Sequence, residues 1–234
     1  MEKRFSFDEK RHLYFLDGKP LTGVTSVLNV IAKPALIGWA VNMACEYIRD
    51  NYSVGCAMES LLEEAKIAHR KKKEGAADIG KRVHKYLEEW IANEPSEETD
   101  EQVMKVARNF IGWAEKNKVK FLASEKRVYS PTLFIAGTLD FICEIDGKKY
   151  VGDIKTSSGV YGRAYFAQCA GYRLMLEEMG EKDFEGSIIV RIGKDGLFSE
   201  EKDVLMSPNY EDDKRYFLAA LDIYRMDKNL YEQT

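Results

Sequence analysis

The sequence predicts an α/β (α+β) chain, a central mixed β-sheet flanked by helices, with a helical N-terminal extension. Three observations predict it. The stretch "GTLDFICEIDGKKYVGDIKTS" (Gly137–Ser157) is two strands around Asp146-Gly147, the pair that a two-residue type I′ turn favours because both central positions need positive φ. Apolar stripes of helical period flank it upstream: Ile79, Val83, Tyr86, Leu87, Trp90 and Ile91, then Val103, Ala107, Phe110, Ile111 and Ala114. The order of elements, helices then a three-strand meander then a helix and more strands, is that of a mixed α/β layer with the hairpin at its heart.

Each element has its own justification. "RFSFDEKRHLYFLDGKPL" alternates apolar and polar residues around the turns Asp8-Glu9 and Asp17-Gly18 and reads as a small β-meander. Thr25 or Ser26 caps a helical stretch through Val30, and a longer helix runs from Pro34 through Ile48. Ser60 to Lys73 is helical, and Gly75 is expected to break it before the next helix starts near Ala77. "NEPSEETDE" is an acidic loop ahead of the Val103 helix. Strands follow at Lys120–Tyr129, Leu133–Ile145 and Lys148–Lys155, then an apolar helix from Gly162 to Met179, the strand "SIIVRI" and another near Asp203–Met206. The last helix carries Ser207 as N-cap, Pro208 at its first position, early acids, and Arg225 and Lys228 late, matching the helix dipole. The expected division is an N-terminal meander and helical extension over 1–74 and a core over 75–234.

Composition narrows the functional classes. With 45% hydrophobic and 12% aromatic residues over 234 positions, the chain can bury a substantial core. A net charge of −4 speaks against a generally basic nucleic-acid coat, so any electropositive surface must be local. Cys45, Cys56, Cys143 and Cys169 have no CxxC spacing, which argues against a disulfide framework and a zinc site and for reduced, mostly buried thiols in a cytosolic protein. No signal peptide or membrane span is expected: the apolar run Ala35–Ile48 is short and interrupted by Asn42 and Glu46.

The hairpin carries the chemistry. If the turn is Asp146-Gly147, Ile145 faces Lys148, Glu144 faces Lys149 and Ile142 faces Val151. Leu139, Phe141, Cys143, Ile145, Tyr150, Gly152 and Ile154 then form a core face. On the other face Asp140 stands opposite Asp153, a like-charge pair about 5 Å apart that repels unless a cation sits between them. Lys155 projects to the same side. Two carboxylates and an ammonium at a hairpin end suit a hard divalent cation; the alternative is a solvated strand end.

His84 lies at the margin of the Ile79 stripe, either as a ligand or as a packing residue, and Gln168 and Tyr172 share one face of the Gly162–Met179 helix. "GKRVH" (Gly80–His84), "GTLD" (Gly137–Asp140), "GDIK" (Gly152–Lys155) and "QCAGY" (Gln168–Tyr172), in that order, resemble the RecB-like, phage-type exonuclease branch of the PD-(D/E)XK nuclease superfamily. The resemblance covers Ala77 to Ile192, and "HLYFLDGKPLTGVTSVLNVIAKPALIGWA" looks more loosely like the N-terminal part of phage members. It implies a restriction-endonuclease-like core. It also implies that His84, Asp140, Asp153 and the Ile154 carbonyl ligate Mg²⁺ or Mn²⁺, that Lys155 orients or activates water, and that Gln168 and Tyr172 border the nucleic-acid path. Some relatives hold an iron–sulfur cluster with three C-terminal cysteines; none follows Cys169, so no cluster is expected.

The chemistry so implied is metal-dependent phosphodiester hydrolysis on DNA, an exonuclease of linear DNA in phage-type recombination or repair. An endonuclease of the same fold and a non-catalytic nucleic-acid-binding subunit are the alternatives. "HRKKK" (His69–Lys73) with Lys81, Arg82 and Lys85 is a basic cluster in an otherwise acidic chain, so Lys71, Lys72, Lys73 and Arg82 are phosphate candidates or else a solvated charge run. Arg163 is a further phosphate candidate. Glu125 and Glu88 are within reach of the site but read as surface carboxylates. Homo-oligomerisation and a recombination partner protein stay open.

Overall fold

The N-terminal alternation forms the meander that it predicts: β1 (Phe5–Asp8), β2 (Leu13–Leu16) and β3 (Lys19–Pro20) pair antiparallel. The structure, a computed structural model, describes residues 4–157, 159 and 162–232, and the side chains of these except 73–77 and 230–232. After β4 (Thr22–Gly23) the first helix, α1 (Val24–Leu28), starts before the expected caps, with Gly23 as N-cap and no capping side chain. Thr25 and Ser26 therefore lie inside it. α2 (Pro34–Asn51) follows with proline in its first turn, where a missing N–H costs nothing.

α3 (Met58–Ile91) is one helix, so Gly75 does not break it. A glycine inside a helix costs only about 1 kcal/mol relative to alanine, and the residues on either side are good helix formers. α4 (Glu101–Lys116) is capped by Asp100, whose Oδ1 accepts from the backbone N of Gln102 at 2.9 Å and of Val103 at 3.3 Å. Then come β5 (Lys120–Ser130), β6 (Ile135–Ile145), β7 (Lys148–Lys155), α5 (Ala164–Glu178), β8 (Phe184–Arg191), α6 (Glu200–Asp203), β9 (Val204–Ser207) and α7 (Tyr210–Glu232). α7 begins three residues after Ser207, whose hydroxyl accepts from the Asn209 backbone N at 3.3 Å, as a capping side chain does, and donates to the buried Asp213 carboxylate at 2.6 Å.

The second sheet is six-stranded and mixed. Its path is β4-β6-β7-β8-β9, with β5 on β6; β4 pairs β6 and β7 pairs β8 in parallel, and the other pairs are antiparallel. The β6–β7 register is the one read from the turn: Ile145 faces Lys148, Glu144 faces Lys149 and Ile142 faces Val151. Asp146 and Gly147 take φ of +49° and +74°.

Both faces of this sheet are buried, where a single core face had been expected. Ile142 and Val151 belong to one buried cluster with Met175 and Leu176 of α5 and Phe217 of α7. On the opposite side Phe141 meets Phe110 of α4 and Phe121 of β5, and Trp90 of α3 meets both of those rings. Helices on two faces are how a sheet with parallel strands hides its backbone.

By its contacts the chain divides into two compact units, Met1–Ile31 with Val83–Thr234, and Ala32–Arg82. The meander thus groups with the sheet. Within Ala32–Arg82, the Trp39 and His69 rings meet edge to face with centroids 6.3 Å apart, which ties α2 to α3.

Candidate functional site

A gap in the hydrogen-bond ladder makes the site. β5 pairs β6 from end to end on one side. On the other, β7 covers Phe141–Ile145 and β4 covers Ile135 and Ala136, so Gly137–Asp140 lie between two partners and have neither. Asp140 therefore does not face Asp153 in the ladder as expected. Its Oδ2 instead accepts the backbone N–H of Ile154 at 2.7 Å, replacing a lost ladder bond with a side-chain one. On its other edge β7 pairs β8 from Lys149 onward, and past Gly152 the ladder continues on that edge, with Asp153, Ile154 and Lys155 opposite Ile189, Val190 and Arg191.

Two glycines make room for this. A Cβ on Gly152 would stand 2.0 Å from the Phe141 ring, and one on Gly137 would stand 2.6 Å from the Tyr172 ring. The glycines of "GDIK" and "GTLD" are steric requirements of the site.

Around the gap lies a cleft of about 260 Å3, lined by His84, Asp140, Asp153, Ile154, Lys155, Thr156, Ser157, Gln168 and Lys194. Asp153 is fully buried. Its Oδ1 accepts from Lys155 Nζ at 2.7 Å and from Gln168 Nε2 at 3.1 Å. Its Oδ2 lies 2.6 Å from the same ammonium but is not aligned for a hydrogen bond and has no hydrogen-bond partner. Lys155 is thus the cation that keeps the two aspartates together. Burial pushes the Asp153 carboxyl up against the pull of Lys155, with Asp140 adding to the rise. Burial also opposes the Lys155 charge, but Asp153 and Asp140 outweigh it and hold the ammonium protonated.

His84 reaches the site from α3, its Nδ1 3.7 Å from Asp140 Oδ2. Burial lowers its pKa, and Lys155 lowers it further, against Asp140 and a hydrogen bond to the Ile154 backbone. The imidazole is neutral at pH 7. Gln168 Nε2 also donates to the Tyr172 hydroxyl at 3.1 Å, and Tyr172 is buried, so Tyr172 meets the cleft only through Gln168.

The other predicted residues are not among those that line the cleft. Arg163, at the N-cap of α5, pairs with the buried Asp213 at 3.5 Å and does not line the cleft. Lys71 bonds Glu64 at 2.5 Å, Lys72 is exposed and Arg82 is half-buried, all three in the separate unit Ala32–Arg82; the Lys73 side chain lies outside the described residues.

Three residues go beyond the sequence reading. Glu125 is not a surface carboxylate: it is half-buried, and burial, then Asp140 and Glu88, push its carboxyl up to about 7. It takes φ of +46° inside β5, between the bridged pairs Ser124–Phe141 and Lys126–Leu139 and thus level with Asp140. Glu88 is half-buried too, and burial raises its pKa. Lys194, on the loop after β8, lines the cleft, and no periodicity marks it in the sequence.

Among the described residues, no group of three or more His, Cys, Asp and Glu side chains is arranged to hold a metal ion. The donors nearest to such a set are the Asp140 and Asp153 carboxylates, the neutral His84 imidazole and the Ile154 carbonyl. All four cysteines are free thiols, Cys143 and Cys169 buried, and no described helix is long and apolar enough to cross a membrane. The chain matches no model of a known protein family, and no curated protein sequence matches it.

Proposed function

We propose that the protein is a divalent-metal-dependent nuclease of the PD-(D/E)XK superfamily, RecB-like branch, hydrolysing phosphodiester bonds of linear DNA from an end. One observation carries the reading. In a single cleft, Asp140 caps the Ile154 N–H, a buried Asp153 is held by Lys155 and Gln168, and His84 stands 3.7 Å from Asp140. Those residues belong to the four motifs on which the resemblance rests, and no structural duty explains burying an ion pair there, since a hydrophobic pair serves stability as well.

The donor set fits Mg²⁺ or Mn²⁺ better than a soft metal: two carboxylates, a carbonyl and one imidazole, with Asp153 Oδ2 buried and accepting no hydrogen bond. Asp140, Asp153, the Ile154 carbonyl and His84 would hold the ion, which supplies Lewis-acid polarisation of a phosphoryl oxygen. The chain's own groups do the rest. Lys155, held protonated, places positive charge where negative charge grows on the phosphate or on the attacking water. Gln168 fixes the Asp153 carboxylate by donating to Oδ1, and Tyr172 fixes Gln168. His84, neutral, offers a lone pair without adding a charge beside Lys155.

Incubation of purified protein with linear and covalently closed circular DNA, with Mg²⁺, Mn²⁺ or EDTA, tests this. Linear DNA is degraded with either metal and spared with EDTA, closed circles persist, and Lys155→Ala abolishes cutting. Rapid cutting of closed circles makes the protein an endonuclease. Tight DNA binding with no cutting under any metal makes it a non-catalytic subunit and overturns the proposal.

A further inference from the structure

Helix α4 holds a loop by its main chain. Gln102 Nε2 donates to the Lys194 carbonyl at 3.2 Å, Lys105 Nζ to that of Asp195 at 2.9 Å, and Asn109 Nδ2 to that of Gly196 at 3.1 Å. The three side chains recur at i, i+3 and i+7, one face of the helix, and take three successive carbonyls. Both ends of the loop are tied as well. Ile192 N donates to the Lys155 carbonyl at 2.7 Å, fastening the loop's start to the end of β7. The buried Asp203 carboxylate accepts from Arg191 Nε at 2.5 Å and from Ser199 N at 2.8 Å, closing the loop on itself. Water satisfies the carbonyls of an ordinary surface loop without ordering lysine and glutamine side chains, whose lost freedom costs about 1–2 kcal/mol each. That ordering has one evident product: the Lys194 side chain lines the cleft beside Asp153, Lys155 and Gln168.

We propose that Lys194 is a phosphate-holding residue of this cleft, receiving the non-bridging oxygens of a nucleic-acid phosphodiester, and that Gln102, Lys105 and Asn109 are the positioning residues that set its loop. The inference rests on the nuclease reading and deepens it. Charge balance supports it. Asp153 and Asp140 bring two negative charges to the cleft, and Lys194 adds a second positive charge to that of Lys155 among its lining. Burial lowers the Lys194 pKa, as it does for an ammonium partly withdrawn from water into the cleft wall. The loop's attachment to the end of β7 also couples the position of Lys194 to that of Lys155, so a strand gripped by one is presented to the other.

The test uses wild type, Lys194→Ala, Lys194→Arg and the double variant Gln102→Ala/Asn109→Ala, each checked for folding by its melt. Rates on a single-stranded oligodeoxynucleotide with Mg²⁺ separate kcat from KM, and anisotropy across a salt series gives the slope of log affinity against log salt. Lys194→Ala raises KM about tenfold, leaves kcat within about threefold and flattens the salt slope by about 0.7, one phosphate contact on a single strand. Lys194→Arg keeps KM within about twofold, because a guanidinium also grips phosphate. The double variant raises KM but keeps the slope, since the ammonium is still present. Should Lys194→Ala fail to fold, Lys194→Gln is read in the same assays with the same expectations. Unchanged KM and slope in Lys194→Ala, with wild type active, overturn the inference and leave the nuclease standing. A collapse of kcat at constant KM overturns it too. An unchanged KM in the double variant overturns the positioning role, and a wild type that neither binds nor cuts DNA removes the nuclease reading and the inference together.

Discussion

Asp153 is the residue on which the site's electrostatics turn. Facing aspartates in a simple hairpin would make Asp153→Asn stabilising, but the structure reverses that expectation. Its carboxylate is the counter-ion of Lys155, whose side chain is only 21% exposed, so removing the charge strands an ammonium. Asp153→Asn should destabilise the fold by about 3 kcal/mol, the low end for breaking a buried pair because Lys155 keeps some access to water. The double change Asp153→Asn/Lys155→Met should recover most of it, and urea unfolding midpoints of the four proteins give the coupling directly. Glu125 makes a pH prediction of its own. Its folded pKa, about 7, is above the usual carboxylate value, so the stability linked to it is fully present below that usual value and is lost as pH rises through about 7. Melting temperatures from acid to mildly alkaline pH should therefore show Glu125→Gln gaining on wild type as pH rises, with the difference vanishing in acid. A pH-independent difference would mean that the Glu125 carboxyl titrates alike in the folded and unfolded chain.

Elements position these residues, and Gly152 shows how tightly. Gly152→Ala would drive a methyl group into the Phe141 ring, which Phe110 and Phe121 hold from the other side. The expected cost is about 3 kcal/mol, and Phe141→Leu should relieve part of it; a melt within a degree of wild type would show that the aromatic cluster gives way. Here the sequence was informative because a hairpin register is arithmetic: one turn, Asp146-Gly147, sets every facing pair from Ile145–Lys148 to Phe141–Gly152. It stopped being informative one pair further on, where β7 leaves the edge of β6 that β4 takes up at Ile135 and Ala136, and Asp140 leaves the ladder. Glu125 escaped for a related reason, since a left-handed residue inside a strand resets the alternation and leaves no compositional trace. Lys194 escaped because its place is set by Gln102, Lys105 and Asn109, which lie 92, 90 and 87 residues from the carbonyls they hold. Gly75 misled in the opposite direction, as a breaker that a long helix tolerates.

Over the whole molecule, stability is divided as the contacts are. No residue of α2 is buried, and Leu36, Ile37 and Val41 are exposed, whereas β6 is paired along its length and covered on both faces. Hydrogen exchange should therefore run through low-energy openings in α2 and only through global unfolding in β6, β7 and β8. Equal protection in α2 and β6 would show that Ala32–Arg82 is as firmly held as the sheet. The reduced thiols give a simpler check: a reductant should leave the melt unchanged, since no pair of cysteines is bonded.

The Asp146-Gly147 turn has a consequence in time as well as in space. It joins neighbours in the chain, so β6 and β7 can meet within about 1–10 μs. The pairing of Thr22 with Ile135, by contrast, must close most of the N-terminal half into a loop and comes at a greater entropic cost. The hairpin is then the natural nucleus, and the carboxylates that later do chemistry are among the first groups to be brought near one another. Replacing Gly147 by alanine, where φ is positive, should slow refolding in stopped-flow mixing several-fold while changing the unfolding rate by less than about twofold. A variant that instead unfolds faster and refolds at the wild-type rate would place the turn after the barrier, and the nucleus elsewhere in the sheet.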